Sequence, residues 1–123
     1  MKKTALITGI SGQDGAYLAK YLLGKGYRVI GADRRTSRGS LWRLKELGIQ
    51  EDIEIIYFEL SEFSNIYRVI EKYNFDEIYN LASQSFVQVS FEMPMMTSDV
   101  TGLGVCRILE CIRKVNPKIK FYQ

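Results

Sequence analysis

The sequence of 123 residues contains no histidine, only two cysteines and two prolines, and no long run of apolar residues. The absence of histidine excludes imidazole acid–base chemistry, the Ser-His-Asp triad and the Cys-His dyad, and it excludes most zinc sites. No apolar run approaches the roughly 20 residues that a membrane-spanning helix needs. Any chemistry in this chain therefore depends on other side chains or on a bound cofactor.

The few cysteines and the modest charge also limit the class of protein. Cys106 and Cys111 would lie about 140° apart on one helix and could not easily pair, so we expect two buried or half-buried thiols. The formal net charge of +3 favours a solvated surface over a nucleic-acid-binding face. Because no signal peptide is visible, we expect a cytoplasmic protein with no nucleic-acid or membrane partner.

A glycine-rich stretch, Thr8 to Gly15, follows an apolar run and precedes a segment with helical periodicity. A strand that turns sharply into a helix needs glycine at the turn, at the approach to a ligand, and where the helix packs on the strand. Gly9, Gly12 and Gly15 have this spacing. Since N–H groups at a helix start favour an anion, the stretch predicts a dinucleotide pyrophosphate site. The alternative is a glycine-rich turn without a ligand.

Apolar runs alternate with helical periodicity along the chain, which predicts a parallel α/β sheet with right-handed crossovers, as in a doubly wound, Rossmann-like domain. The expected strands are 3–8, 28–33, 53–60, 76–82 and 118–123.

Helices are expected from Gly12, after an N-cap at Ser61, and over 40–47, 86–92 and 95–115. On the last helix, Val105, Leu109 and Ile112 are expected to face the sheet. The nearby methionines are expected to fill the core or form the wall of a crevice, rather than bind a metal. They are Met93, Met95 and Met96.

Charged and hydroxyl side chains follow the second strand, where a dinucleotide fold meets the adenosine ribose. Asp33 could accept hydrogen bonds from the ribose of NAD. Arg34 and Arg35 could pair with the 2′-phosphate of NADP, with Thr36 and Ser37 as further donors. The alternative is a solvated basic loop. The residues alone leave both cofactors open.

Four stretches of the sequence resemble the GDP-mannose 4,6-dehydratase family of extended short-chain dehydrogenase/reductases. They are Ile7–Gly15, Arg34–Ser37, Asp76–Ser85 and Ser90–Glu92, and the resemblance covers essentially all 123 residues. It departs from the family at Glu59, where members usually carry the shorter Asp, and at Asp33, where an apolar residue is common.

The resemblance implies a role for each matching residue. Gly9, Gly12, Gln13, Asp14 and Gly15 would hold the NADP pyrophosphate and the nearby ribose. Arg34, Arg35, Thr36 and Ser37, beside Asp33, would bind the 2′-phosphate end. Glu59 and Leu60 would line the adenine pocket. The nicotinamide side would be formed by Leu81, Ala82, Gln84 and Ser85, with Ser85 also near the sugar substrate.

The resemblance implies the strand order 3-2-1-4-5 and makes residues 1–123 the N-terminal part of one dinucleotide-binding domain, truncated after the fifth strand. That strand would then be an exposed edge that favours self-association. The resemblance further implies an NADP-dependent lyase that acts on GDP-mannose as a homo-oligomer. The family's catalytic Thr and Glu, its Tyr-x-x-x-Lys pair and its substrate domain have no counterpart in these 123 residues, so we expect no catalytic residue in this chain. Two alternatives stay open. One is an NAD-dependent nucleotide-sugar epimerase or reductase, which Asp33 favours. The other is a dinucleotide-binding module without catalysis of its own.

Overall fold

One parallel sheet carries the fold of the computed structural model, which describes residues 2–34, 41–82 and 91–123. Its strands are β1 (Thr4–Thr8), β2 (Arg28–Asp33), β3 (Glu54–Tyr57), β4 (Glu77–Asn80) and β5 (Lys120–Tyr122). They are ordered β3-β2-β1-β4-β5, and every neighbouring pair is parallel. This confirms the predicted doubly wound α/β architecture and its strand order.

Helical segments connect the strands. They are α1 (Gln13–Gly24), α2 (Trp42–Glu46), a 3₁₀ turn (Gln50–Asp52), α3 (Phe63–Tyr73), α4 (Pro94–Thr97), a π-helix (Ser98–Leu103) and α5 (Gly104–Val115). The helix expected over 86–92 lies mostly outside the described residues.

Buried side chains lie on both faces of the sheet. Leu6, Ile30 and Ile78 pack with apolar residues of α3 and α5 on one face. Ala5 and Ile7 pack with residues of α1 and α2 on the other. Because successive residues of a strand point to opposite faces, a strand that is covered on both sides must be apolar throughout. The cover on both faces thus explains the apolar runs of β1 and β2.

The buried face of α5 differs by one position from the sequence prediction. Val105 is half-buried and Leu109 is exposed, whereas Ile108 and Cys111 are buried together with Ile112. The π-helix that precedes α5 places more residues in a turn than an α-helix does. It therefore shifts the periodicity that a continuous α-helix from residue 95 would have.

The chain leaves β3 earlier than the sequence suggests. β3 ends at Tyr57, and the N–H of Glu59 donates to Asn65 Oδ1 at 2.8 Å instead of continuing the strand. The N-cap of α3 is Glu62, so the expectation of a cap at Ser61 was wrong. The residues after β3 therefore form a turn outside the strand, and this turn can line a cavity.

The expected environments of the sulfur-containing side chains hold only in part. Met93 and Met95 are exposed, and Met96 is half-buried against the core. Cys106 is exposed, contrary to expectation, while Cys111 is buried. Burial raises the pKa of the Cys111 thiol to about 11. This thiol is therefore a small apolar core group rather than a nucleophile.

Neither a membrane span nor a metal cluster is found within the described ranges. No helix there is long and apolar enough to cross a bilayer. No group of three or more His, Cys, Asp or Glu side chains there could hold a metal ion.

A carboxylate on β4 joins two tyrosines on the α1 face of the sheet. Glu77 accepts hydrogen bonds from Tyr27 Oη at 3.0 Å and from Tyr79 Oη at 2.7 Å. Burial raises the pKa of Tyr79 to about 12, and the hydrogen bond with Glu77 and its charge add to that effect. The fold thus favours the neutral phenol of Tyr79.

This raised pKa predicts a loss of stability in alkali. The folded chain retains the Tyr79 proton above pH 10 while the unfolded chain loses it, so the free energy of unfolding should fall between about pH 10 and 12. Urea titrations across this range should show a shallower fall for Tyr79→Phe than for the unmodified chain. Equal slopes for Tyr79→Phe and the unmodified chain would contradict the argument.

Candidate functional site

A cavity of about 710 Å³ opens at the carboxyl edge of the sheet, beside the ends of β1 and β2 and the segments that follow β3 and β4. In doubly wound sheets, this edge is where ligands bind, at the point where the strand order reverses. Among the residues that line it are Gly9, Gly12, Asp33, Arg34, Glu59, Leu60, Leu81 and Ala82. The fold thus brings together four separate stretches that the sequence singled out.

Three further predicted site residues belong to the described part of the chain but do not line this cavity. Gln13 and Asp14 are exposed at the start of α1, and Gly15 is buried beneath the turn. The remaining predicted residues lie outside the described residues. These are Arg35, Thr36, Ser37, Gln84 and Ser85.

Gly9 allows the end of β1 to pass directly against the end of β4. Its φ of +70° is in the left-handed region that favours glycine. A Cβ at this position would lie 2.9 Å from the carbonyl carbon of Leu81 and 3.0 Å from the nitrogen of Ala82. The N–H of Gly9 donates to the Ala32 carbonyl at 2.9 Å. These contacts fix the floor of the cavity.

The start of α1 lies at the cavity. Gly12 is the N-cap, and no side chain of the described residues caps the helix. The N–H of Gly12 donates to the Gly9 carbonyl at 3.0 Å, which closes the turn. The first N–H groups of a helix have no partner within it and carry its positive dipole end. The turn is therefore a cradle for an anionic group such as a phosphate.

A buried polar network secures the junction of β1 and β4. Thr8 Oγ1 donates to Asn80 Oδ1 at 2.6 Å and accepts the Ala82 N–H at 3.1 Å. Asn80 Nδ2 donates to Gln123 Oε1 at 2.8 Å. Since Thr8 and Asn80 are buried, each lost bond would leave an unpaired polar group in the core. The network holds Leu81 and Ala82 at the cavity wall.

The Asp33 carboxylate is already engaged by protein donors. Ser11 Oγ donates to Asp33 Oδ2, and the N–H of Arg34 donates to Oδ1 at 2.9 Å. Arg43 Nη1 in turn donates to the Ser11 carbonyl at 3.0 Å, and its guanidinium lies 4.6 Å from the centre of the Trp42 ring. Asp33, Arg34 and Arg43 thus all line the cavity.

Sequence reasoning missed several residues of the cavity wall. Trp42 is 54% exposed and lines the cavity next to Arg43. Ser11 lines it too, although it was treated only as part of the glycine loop. One signal in the sequence could have identified them: a large aromatic residue is followed by an arginine, shortly after the basic stretch. Phe58 and Val100 also line the cavity, from the turn after β3 and the π-helix before α5, together with Met96, which was expected to fill the core or form a crevice wall.

Close packing beneath the turn predicts a different effect for each of two glycines of α1. A Cβ at Gly15 would lie 2.5 Å from the Gly9 carbonyl oxygen, so Gly15→Ala should destabilise the chain by about 1–3 kcal/mol. A Cβ at Gly24 would have no atom of the described chain within 4 Å. Gly24→Ala, the matched control, should be neutral or stabilising by up to about 1 kcal/mol. Urea denaturation measures both, and equal effects would contradict the packing argument.

Comparison with known proteins places these features in a family. The sequence model of GDP-mannose 4,6 dehydratase matches residues 6–123. The GDP-mannose 4,6-dehydratase of Vibrio cholerae serotype O1 is 46% identical to this chain, over 99% of the chain and 35% of its own length. The chain thus spans about a third of the length of the curated relatives it matches.

Solved structures show the same fold at lower identity. The UDP-Glc/GlcNAc 4-epimerase of Campylobacter jejuni superimposes with a TM-score of 0.81 at 20% identity, over 97% of this chain and 36% of that one. The UDP-glucose 4-epimerase of Thermus thermophilus, solved as a complex with NAD, gives 0.75 at 23% identity, over 91% and 34%. From the family match and the shared fold together, the chain belongs to the GDP-mannose 4,6-dehydratase family and corresponds to its N-terminal region.

Proposed function

We propose that this chain is the NADP-binding part of a GDP-mannose 4,6-dehydratase. The observation that carries the proposal is the cavity of about 710 Å³ that gathers the glycine turn, Asp33, Arg34 and the segments after β3 and β4. A chain of this family that has such a cavity at the switch point of its sheet is built to hold a dinucleotide. The Thermus thermophilus structure compared above was solved as a complex with NAD, which supports a nicotinamide cofactor.

The residues present fit the cofactor. The open turn at Gly9 and Gly12, which a Cβ would partly fill, suits a pyrophosphate. We assign Gln13, Asp14 and Gly15 to the same end, as supports of the turn and of the nearby ribose. Glu59 and Leu60 would contact the adenosine half. Leu81 and Ala82, followed by Gln84 and Ser85, would contact the nicotinamide half, with Ser85 near the sugar.

The choice of NADP rests on how Asp33 is held. Both of its carboxylate oxygens accept hydrogen bonds from the protein, from Ser11 and from the Arg34 N–H. This lowers its availability to the ribose hydroxyls of NAD. Arg34 at the cavity, with Arg35, Thr36 and Ser37 next in sequence, supplies the charge and donors that a 2′-phosphate requires.

In the full protein we propose that GDP-mannose is the substrate and that the product is GDP-4-keto-6-deoxymannose. The bound nicotinamide would supply hydride acceptance from the hexose C4 and hydride return to C6, on either side of water loss across C5 and C6. The described residues of this chain bind and orient the cofactor. We place the acid–base groups of the reaction outside these 123 residues. A homo-oligomer and a cytoplasmic location remain part of the proposal.

A second candidate function is supported by Asp33 and by the structural neighbours. A carboxylate at the end of β2 is the feature with which NAD-dependent enzymes bind the adenosine ribose. The two structures compared above carry the names of nucleotide-sugar 4-epimerases. An NAD-dependent epimerase or reductase would use the same cavity, so cofactor preference distinguishes the two proposals. A dinucleotide-binding module without catalysis is the third.

Calorimetric titration of the chain with NADP, and separately with NAD, tests the proposal. We expect NADP to bind at least about tenfold more tightly, because each 1.4 kcal/mol of added phosphate contact changes the affinity about tenfold. Arg34→Ala should weaken NADP binding by about that factor and leave NAD binding unchanged. Arg68→Ala, at an exposed arginine on α3, is the matched control and should alter neither.

Two results would overturn parts of this account. Tighter binding of NAD would make Asp33 the dominant contact and would favour the epimerase or reductase function. No binding of either dinucleotide, by a chain that circular dichroism shows to be folded, would mean that the cavity is not a cofactor site.

A further inference from the structure

Arg107, on α5, connects two segments of the cavity wall without lining the cavity itself. Its Nη1 donates to the Leu60 carbonyl at 2.9 Å and to the Asp99 carbonyl at 3.0 Å. Its Nη2 donates to Asp99 Oδ1 at 2.5 Å. Leu60 belongs to the turn after β3, and Asp99 lies in the π-helix. One guanidinium thus joins segments that are far apart in sequence.

The surroundings of Arg107 suit an arginine side chain at this position. Only 21% of the Arg107 side chain is exposed, so its bonds are partly shielded from water. A Cβ at Gly104 would lie 3.0 Å from Leu60 Cβ, so α5 packs directly against the same turn. Five donors in a fixed plane suit a guanidinium to bridge several acceptors, which an ammonium group cannot do in the same geometry.

The turn that Arg107 holds forms the adenosine side of the cavity. Glu59 and Leu60 line it from this turn, and Val100, next to Asp99, lines it from the π-helix. The Phe58 N–H donates to the Asp33 carbonyl at 2.9 Å, but the Glu59 N–H donates to Asn65 Oδ1 and the Glu62 N–H to the Glu59 carbonyl, so the ladder to β2 ends at Phe58. Beyond that residue, the hydrogen bonds of Arg107 and the packing of Gly104 against Leu60 hold the turn against the helical segments.

We propose that Arg107 is a positioning residue for the adenosine half of the cofactor, because it fixes the turn at Glu59 and Leu60 against the π-helix. The inference rests on the proposed function, in which that half of the dinucleotide occupies this part of the cavity. Arg107 touches no ligand in this account. It acts through the Leu60 carbonyl and through Asp99.

The test uses two measurements on the 123-residue chain and on three variants. Arg107→Met removes every donor, and Arg107→Lys keeps the charge and the aliphatic stem in case the first variant fails to fold. Arg113→Met is the matched control, since Arg113 also lies on α5 and is also paired with a carboxylate, that of Glu110, but on the exposed surface. The measurements are amide hydrogen exchange of residues 58–62 and calorimetric binding of NADP and of 2′,5′-ADP.

We expect exchange at Glu59 and Glu62 to become about tenfold faster in both Arg107 variants, while the amides of β1 and β4 keep their protection. NADP and 2′,5′-ADP should both bind about tenfold more weakly to these variants, because the loss falls on the half that they share. The Arg113→Met control should match the unmodified chain in both measurements.

Each contrary result would contradict a different part of the proposal. Unchanged exchange at 58–62 in a folded Arg107 variant would overturn the positioning role, whether or not dinucleotides bind. A loss of NADP affinity without a loss of 2′,5′-ADP affinity would overturn the assignment to the adenosine half. If the unmodified chain binds neither ligand while exchange still rises, the proposed function fails, and with it the cofactor role of Arg107.

Discussion

The close passage of the Gly9 backbone against the end of β4 is the constraint on which the rest of the site depends. At φ +70°, with the Leu81 and Ala82 backbone within about 3 Å of where a Cβ would stand, no other residue type fits without strain. This passage turns the chain from β1 toward the start of α1. It leaves the helix start, the end of β2 and the segment after β4 around one opening.

Polar groups hold this arrangement from inside the sheet. Thr8 joins Asn80 to the Ala82 N–H, and Ser11 joins Asp33 to the glycine turn. These side chains make structural bonds. Arg34, Arg43 and Gly12 at the start of α1 also line the cavity, together with the acidic residue Glu59. Arginines and helix N–H groups are donors that suit phosphate groups. The membership of the chain in a dehydratase family agrees with this chemistry.

Local patterns were sufficient to predict the parallel α/β sheet and the glycine turn, whereas the strand order was implied by the resemblance to a known family. Apolar runs such as Ala5-Leu6-Ile7 and the spacing of three glycines are properties of contiguous sequence, and the structure confirms the fold they predict. The rest depends on contacts between distant residues. A π-helix, which no short pattern predicts, interrupts the helix that was expected over 95–115, and the buried face of α5 includes Ile108 and Cys111. The contact of Arg107 with Leu60 spans 47 positions and could not be predicted from periodicity.

The central claim is that a nicotinamide dinucleotide occupies the cavity at the carboxyl edge of the sheet. The most direct test is to map the amide chemical-shift changes in ¹H–¹⁵N spectra of the chain at saturating NADP. The account predicts large shifts at Gly9, Gly12, Leu60 and Ala82, and none at Asn74, which precedes β4 at the opposite edge. Shifts concentrated around Asn74, or no shifts at all in a folded chain, would contradict it.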